Sequence, residues 1–136
     1  MSFLLDTNVC IAYLNGTSSA IKEHFRTKHS SDLFLCSVVK AELIYGAYKS
    51  QRPEENLKKV EHFLGHFPSL PFDDKAAEFY GKIRASLEKQ GQIIGPNDLM
   101  IASIALANQK ILITNNTREF SRVEGLNLGD WIYRLP

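Results

Sequence analysis

The chain contains few cysteines and no long apolar segment. Its two cysteines, Cys10 and Cys36, each lie inside an apolar stretch. A disulfide framework in a secreted domain normally needs more, so we expect two buried, reduced thiols in a cytoplasmic protein. The longest nearly apolar run, Leu99 to Ala107, is far shorter than the ~20 residues that a membrane-spanning helix needs.

The N-terminus and the charge balance are also unremarkable. Met1 to Leu5 has no basic residue and meets Asp6 after three apolar residues, which argues against a signal peptide. Without repeats, low-complexity tracts or polar linkers, the 136 residues predict one domain, 1–136. A net charge of +1 does not by itself predict a nucleic-acid partner.

Short apolar runs alternate with helical patterns along the whole chain. Strands are expected at Phe3 to Leu5, Leu33 to Val38, Leu70 to Phe72 (an edge strand), Ile111 to Thr114 and Leu126 to Leu128. Helices are expected from Asn8 to Leu14, around Ile21 and Phe25, up to about Tyr48, from Pro53 to Gly65, from Asp73 or Asp74 to Gly91, and from Gly95 to Ala107.

This alternation predicts an α/β fold with a short, mostly parallel sheet that is covered on both faces. Sheets of this kind bind ligands at the carboxyl ends of their strands. Asp6 lies at one such end, and Asn116 follows another. Trp131 is expected to dock the C-terminal segment.

Three acidic residues stand in apolar surroundings. Asp6 closes an apolar strand, and Glu42 and Asp98 share their helix faces with apolar residues three or four positions away. Each acid taken singly has an ordinary explanation, as a turn residue, a partner of a nearby lysine or a first-turn helix acid. No basic residue lies in any of the three stripes, however, and a carboxylate there costs several kcal/mol unless it is paired, protonated or metal-bound.

A converging set of carboxylates indicates a hard divalent cation. Oxygen ligands select Mg²⁺ or Mn²⁺, which polarise a phosphodiester and activate a bound water. If the three acids surround an ion, 16 basic residues face 12 remaining acidic ones, which modestly favours a polyanion. The sequence has no glycine-rich phosphate loop, G-x-S-x-G elbow or H-E-x-x-H motif to suggest another catalytic system.

Four segments that contain the three acids and Asn116 follow one another along the chain. These are Phe-Leu-Leu-Asp6-Thr7-Asn8, Ser37-Val-Val-Lys-Ala-Glu42-Leu-Ile-Tyr-Gly46, Gly95-Pro-Asn-Asp98-Leu-Met-Ile-Ala102 and Ile113-Thr114-Asn-Asn116-Thr-Arg-Glu119-Phe120. In order and spacing they resemble the motifs of PIN-domain nucleases, and of the VapC toxins among them. The final Leu-x-Leu-x-Asp-Trp is similar to the ending of one VapC branch.

The resemblance implies a PIN-like three-layer α/β/α fold and a toxin that cleaves RNA, with tRNA as a frequent target. Asp6, Glu42 and Asp98 would be the catalytic, metal-binding acids, with Mg²⁺ or Mn²⁺ as cofactor. The resemblance further implies a VapB-type antitoxin whose C-terminal segment enters the active-site groove. It also implies a homodimer, and operator DNA that is bound only through the antitoxin.

One position departs from the family pattern. Many PIN domains have a fourth acid two residues after the motif threonine, and here Asn116 takes that place. An amide oxygen can bind a metal or its water but brings no charge, so Glu119 is an alternative fourth ligand. Asn8 and Thr114 are expected to support the site.

Basic residues form two clusters. Lys22, Arg26 and Lys28 lie together, and Lys49 and Arg52 follow the Glu42 helix. Most such side chains are simply solvated, but one or two beside the groove are expected to contact phosphates.

Three alternative functions remain at this point. A haloacid-dehalogenase-type phosphatase needs a second aspartate two residues after the first, where this chain has Asn8. A receiver-like phosphoacceptor domain needs an aspartate after a central strand and a partner lysine that are missing here. A PIN domain that only binds RNA or a protein is disfavoured by the three intact acids.

Overall fold

The computed structural model describes residues 1–132. The strands are β1 (Phe3–Leu5), β2 (Leu33–Cys36), β3 (Ser69–Leu70), β4 (Ile111–Ile113) and β5 (Leu128–Gly129). The helices are α1 (Thr7–Asn15), α2 (Ser19–Thr27), α3 (Ser37–Tyr48), α4 (Pro53–Leu64), α5 (Asp74–Lys89), α6 (Pro96–Ala107) and α7 (Thr117–Phe120), with a 3-10 turn at Ser30–Asp32.

The strands form one parallel sheet in the order β3-β2-β1-β4-β5. Leu4 and Leu5 of the central strand are both 0% exposed. Because successive strand residues point to opposite faces, both faces of the sheet are covered. The predicted three-layer α/β/α fold with a mostly parallel sheet is therefore confirmed, and β3 is an edge strand as expected.

Helix boundaries follow local side-chain chemistry. The Ser18 hydroxyl accepts the Ile21 N–H at the start of α2, and Asp73 accepts the Ala76 N–H at the start of α5. Proline opens both α4 and α6, where its missing N–H costs nothing. Gly16 ends α1 in the left-handed conformation, with φ of 66°.

The predicted strands are mostly longer or differently bounded than those observed. The expected strand Leu33 to Val38 is wrong at its end, because α3 begins at Ser37 without a loop. Val38 and Val39 are buried on that helix as they would be on a strand, so apolar character alone does not mark the change. The last strand lies at Leu128–Gly129 rather than Leu126 to Leu128, and β3 and β4 end before Phe72 and Thr114.

Trp131, which was expected to dock the C-terminal segment, packs against Phe3 at the amino end of β1. Trp131 is 5% exposed, meets the Phe3 ring edge-on with centroids 5.5 Å apart and stacks on His24 at 4.6 Å. Cys10 and Cys36 are buried free thiols, as expected. In the described range no helix combines the length and the hydropathy that a membrane crossing requires. The last four residues of the predicted domain, up to Pro136, lie outside the described residues.

Candidate active site at the carboxyl edge of the sheet

The parallel sheet brings distant polar residues to one edge. Asp6 directly follows β1, and Thr114 directly follows the neighbouring β4, since Leu5 pairs with Ile113 in the ladder. On the other side of β1, β2 leads straight into α3, which carries Glu42 on its second turn. Asp98 lies in the first turn of α6.

The Asp6 carboxylate is held by a hydrogen bond at each oxygen. Its Oδ1 accepts the Thr7 N–H at 2.8 Å, which caps α1, and its Oδ2 accepts the Thr114 hydroxyl at 2.8 Å. Asp6 is only 5% exposed, and burial raises its pKa, a rise that these two hydrogen bonds oppose. The charges of Glu42 and Glu119 raise the pKa further. Asp6 is therefore an oriented carboxylate in an acidic environment.

Glu42 is tied to the same place through Thr7. The Thr7 hydroxyl donates to Oε1 of Glu42 at 2.8 Å, while its backbone N–H binds Asp6. One residue therefore positions two acids that lie 36 positions apart in the sequence. Thr7 was not among the residues predicted for the site. Its place directly after Asp6, as the first residue of a helix, was the available signal.

Glu119 lies at this edge and is positioned by Asn116. The Asn116 amide donates to Oε2 of Glu119 at 2.8 Å, and the Gly95 N–H donates to its Oε1 at 3.3 Å. The Asn116 N–H in turn binds the Thr114 hydroxyl at 3.0 Å, so a continuous chain of hydrogen bonds joins Glu119 to Asp6. Asn116 and Glu119, the two candidates for the fourth site residue, therefore both lie at this edge, and Asn116 holds Glu119 in place.

Asp98 lies close enough to the other three acids for their charges to affect its pKa. Its pKa is raised from 3.8 to about 6, first by burial and then by the charges of Asp6, Glu119 and Glu42. Coulombic effects of this kind act over short distances in a screened medium. Together with the hydrogen bonds of Asp6 to Thr114, of Thr7 to Glu42 and of Gly95 to Glu119, this places the four carboxylates at one edge of the sheet. Among the ion pairs of residues 1–132, none neutralises any of the four.

The acids are neighbours without forming a finished coordination shell. Across residues 1–132, no three Asp, Glu, His or Cys side chains already surround one point closely enough to hold an ion. Glu42 is turned toward the Thr7 hydroxyl and Glu119 toward Asn116 and Gly95. Mutual repulsion favours such separated arrangements. The expectation that Asp6, Glu42 and Asp98 share one coordination shell stays a prediction.

The donor chemistry nevertheless fits a hard cation. Carboxylate and amide oxygens are the ligands that Mg²⁺ and Mn²⁺ prefer. Asp6 also has the second layer of hydrogen bonds that orients metal ligands, through Thr7 and Thr114. A cation at this edge would favour the ionised form of Asp98, whose pKa is raised by burial and by the charges of Asp6, Glu119 and Glu42.

Other predicted residues lie apart from the acids or lack a contact. Asn8 is exposed on the first turn of α1, and within residues 1–132 its side chain makes no hydrogen bond, so its supporting role stays a prediction. Lys28 lies 5.7 Å from the Phe3 ring at the amino end of β1, on the edge of the sheet opposite Asp6. Arg26 is paired with Glu23. The basic cluster on α2 is therefore not at the acidic edge.

Comparisons with known proteins agree with this geometry. Residues 3–126 match the family model of the PIN domain. The chain is 44% identical to the tRNA(fMet)-specific endonuclease VapC of Shigella flexneri, with 96% of this chain and 98% of that protein covered. It is 38% identical to ribonuclease VapC2 of Rickettsia felis, again with 96% and 98% covered.

A solved structure gives the same result for the fold. In the DNA-bound VapBC complex of Salmonella typhimurium, a chain that is 41% identical superposes with a TM-score of 0.91, covering 96% of this chain and 98% of that one. With its parallel sheet, its acidic edge and these relatives, the chain belongs to the VapC family of PIN-domain ribonucleases.

Proposed function

We propose that this protein is an endoribonuclease that depends on Mg²⁺ or Mn²⁺ and works at the acidic edge of the sheet. The observation that carries the proposal is the convergence of Asp6, Glu42, Asp98 and Glu119, none of which belongs to an ion pair within residues 1–132. Four carboxylates without counter-charge are costly unless a cation joins them. A PIN domain that only binds RNA or a protein would not need four carboxylates whose mutual repulsion destabilises the fold.

Each residue has a distinct part in the proposed site. Asp6, Glu42 and Asp98 would hold the cation, with Asp6 fixed in orientation by Thr114. Glu119 supplies the fourth charge, and Asn116 holds Glu119 in place. When bound, the ion polarises the scissile phosphodiester and lowers the pKa of an attacking water.

We propose tRNA, and the initiator tRNA first, as the substrate. The support is the printed activity of two relatives, the tRNA(fMet)-specific endonucleases VapC of Shigella flexneri and Salmonella typhimurium, at 44% and 41% identity over nearly the whole chain. Since such a substrate is cytoplasmic, we place the protein in the cytoplasm.

We further propose that a VapB-type antitoxin blocks the site. A groove of about 320 Å³ runs beside Glu42, between α1, α3 and α4. Its apolar walls include Ile11, Leu14, Leu43 and Val60. A second cavity, lined by Tyr13, Phe25, Phe63 and Phe67 among others, shares Leu14 and Lys59 with the groove.

This combination suits an amphipathic peptide with a basic residue at one end. Apolar side chains would fill the cavities, and an arginine fork would pair with the carboxylates. The support is that similar chains were solved as VapBC complexes, two of them with DNA. We extend the proposal to a homodimer, and to operator DNA bound only through the antitoxin. Light scattering of the purified protein and of the complex measures both stoichiometries.

Cleavage of initiator tRNA tests the proposal. Asp6→Asn, Glu42→Gln and Asp98→Asn remove one charge each while keeping the side-chain shape, so each should lose most activity and retain the fold. Lys22→Ala is a matched control, because the Nζ of Lys22 lies beside Gly16, at the end of α1 remote from Asp6. Full activity of the Asp98→Asn variant, or undiminished wild-type cleavage in EDTA, would refute the mechanism.

A further inference from the structure

Helix α3 presents an aromatic ring to solvent one turn beyond Glu42. Tyr45 is 64% exposed, and the Nζ of Lys49 lies 5.2 Å from the centroid of its ring. Lys49 is itself exposed and, among the ion pairs of residues 1–132, belongs to none. The Tyr45 ring is therefore exposed to water beneath a cation, and it does not pack in the core.

The helix geometry aligns this pair with the catalytic edge. At about 100° per residue, Lys49 lies within about 20° of Glu42 around the helix axis, and Tyr45 about 60° from it. Long helical side chains lean toward the helix N-terminus, so the Tyr45 ring leans toward the turn that carries Glu42. The rise from Glu42 to Lys49 is about 10 Å, close to the length of three stacked nucleotides at ~3.4 Å each.

We propose that Tyr45 and Lys49 form a nucleotide platform, in which an unpaired base of the RNA stacks on Tyr45 and an adjacent phosphate binds Lys49. The platform deepens the proposed ribonuclease function and rests on it. An aromatic face accepts any unpaired base, and single-stranded loops are where proteins read RNA. Beside Glu42, the platform places the flanking nucleotide within reach of the acids that carry out cleavage.

The positive charge of Lys49 favours RNA over a basic peptide as the ligand of this platform. Lys49 would repel the cationic segment that suits the acids, whereas it attracts a phosphate. Tyr48 provides the contrast on the same exposed side. It is 62% exposed, but within residues 1–132 no cation lies over its ring, and it is about 120° around the helix from Glu42. Exposure alone therefore does not define the platform.

Steady-state cleavage of an initiator tRNA transcript tests the platform in the full-length protein. Tyr45→Ala should raise KM about fivefold or more, the loss expected for one stacked base, with kcat changed less than twofold. Tyr45→Phe should restore the wild-type KM, because the ring remains. Tyr48→Ala, the matched control, should behave as wild type. Circular dichroism should show unchanged folding, since both tyrosines are exposed.

Binding of the same transcript, labelled with fluorescein, gives a second measurement that does not need cleavage. In the Asp98→Asn background, Lys49→Ala should reduce the slope of log Kd against log [KCl] by about 0.7, the value for one phosphate contact on a single strand. Lys22→Ala should leave the slope unchanged.

Several outcomes overturn the platform without touching the ribonuclease proposal. An unchanged KM for Tyr45→Ala would do so, as would equal losses for Tyr48→Ala, or a loss for Tyr45→Phe as large as that for Tyr45→Ala. Unchanged RNA kinetics combined with loss of copurifying antitoxin would assign the surface to the protein partner instead. Failure of the wild-type protein to cleave RNA refutes the proposed function, whereas the binding measurement still decides the platform.

Discussion

Asp98→Asn should stabilise the metal-free protein, because it removes a carboxylate that the fold disfavours. With a pKa of about 6 in the fold against an ordinary 3.8, ionisation of Asp98 costs at most about 3 kcal/mol of stability. Solvent screening at this half-exposed site and the favourable dipole at the start of α6 reduce the expected gain to about 1 kcal/mol. For a chain of this length that is a rise in Tm of about 3 °C.

The gain has a defined pH dependence. A raised carboxyl pKa means that the folded state holds the proton more tightly than the unfolded state, so stability is lost as the pH rises from 3.8 through about 6. The advantage of Asp98→Asn over wild type should be complete near pH 8, fall to about half near pH 5 and vanish below the ordinary pKa. Thermal unfolding followed by circular dichroism in EDTA measures it.

Adding Mg²⁺ should reverse the order of stability. An ion that binds only the folded state stabilises it by about 1.4 kcal/mol at ten times its Kd. Wild type should gain this increment, and Asp98→Asn, which lacks one ligand, should gain little. A variant less stable than wild type in EDTA at pH 8, or equal stabilisation of both proteins by Mg²⁺, would contradict this prediction.

Three further predictions follow from the hydrogen bonds and the groove. Glu119→Ala should lower the rate of tRNA cleavage more than Asn116→Ala, because Glu119 supplies a charge and Asn116 only positions it; the reverse order in kcat would make Asn116 the direct ligand. Thr114→Val leaves one oxygen of the buried Asp6 without its partner, so urea unfolding should show a loss of about 1–3 kcal/mol and titration calorimetry about tenfold weaker Mn²⁺ binding; unchanged values for both would contradict its role. Gly46→Ala should raise Tm by about 3 °C, because a helix-interior glycine costs about 1 kcal/mol relative to alanine and a Cβ there meets nothing within 4 Å, yet the added methyl group enters the groove and should weaken antitoxin binding; a lower Tm would show that Gly46 is needed for the fold itself.

The sequence was informative where one local rule decides the structure. Apolar runs that end in a polar residue located β1 and β4, and the prolines at 53 and 96 located two helix starts. Because the carboxyl ends of parallel strands meet at one edge, that interpretation alone placed Asp6 and Asn116 at the same edge. Strand ends were less predictable, since the buried Val38 fits either a strand or a helix.

Contacts between distant residues were not available from the sequence. The role of Thr7 depends on which side chain α3 places opposite its hydroxyl, which only the packing of α1 against α3 decides. The division of labour between Asn116 and Glu119 likewise depends on the turn geometry that lets one hold the other. The basic cluster on α2 was a candidate for RNA contact by charge, but Lys28 lies at the opposite edge of the sheet from Asp6.

Anomalous scattering from crystals soaked in Mn²⁺ would show directly whether the four carboxylates bind a metal ion. We expect an anomalous peak at the carboxyl edge of the sheet, with oxygen ligands from Asp6, Glu42 or Asp98 at about 2.2 Å. The peak should be lost in the Asp98→Asn protein. A Mn²⁺ site elsewhere on the molecule, with the four carboxylates free of metal at saturating concentration, would contradict this expectation.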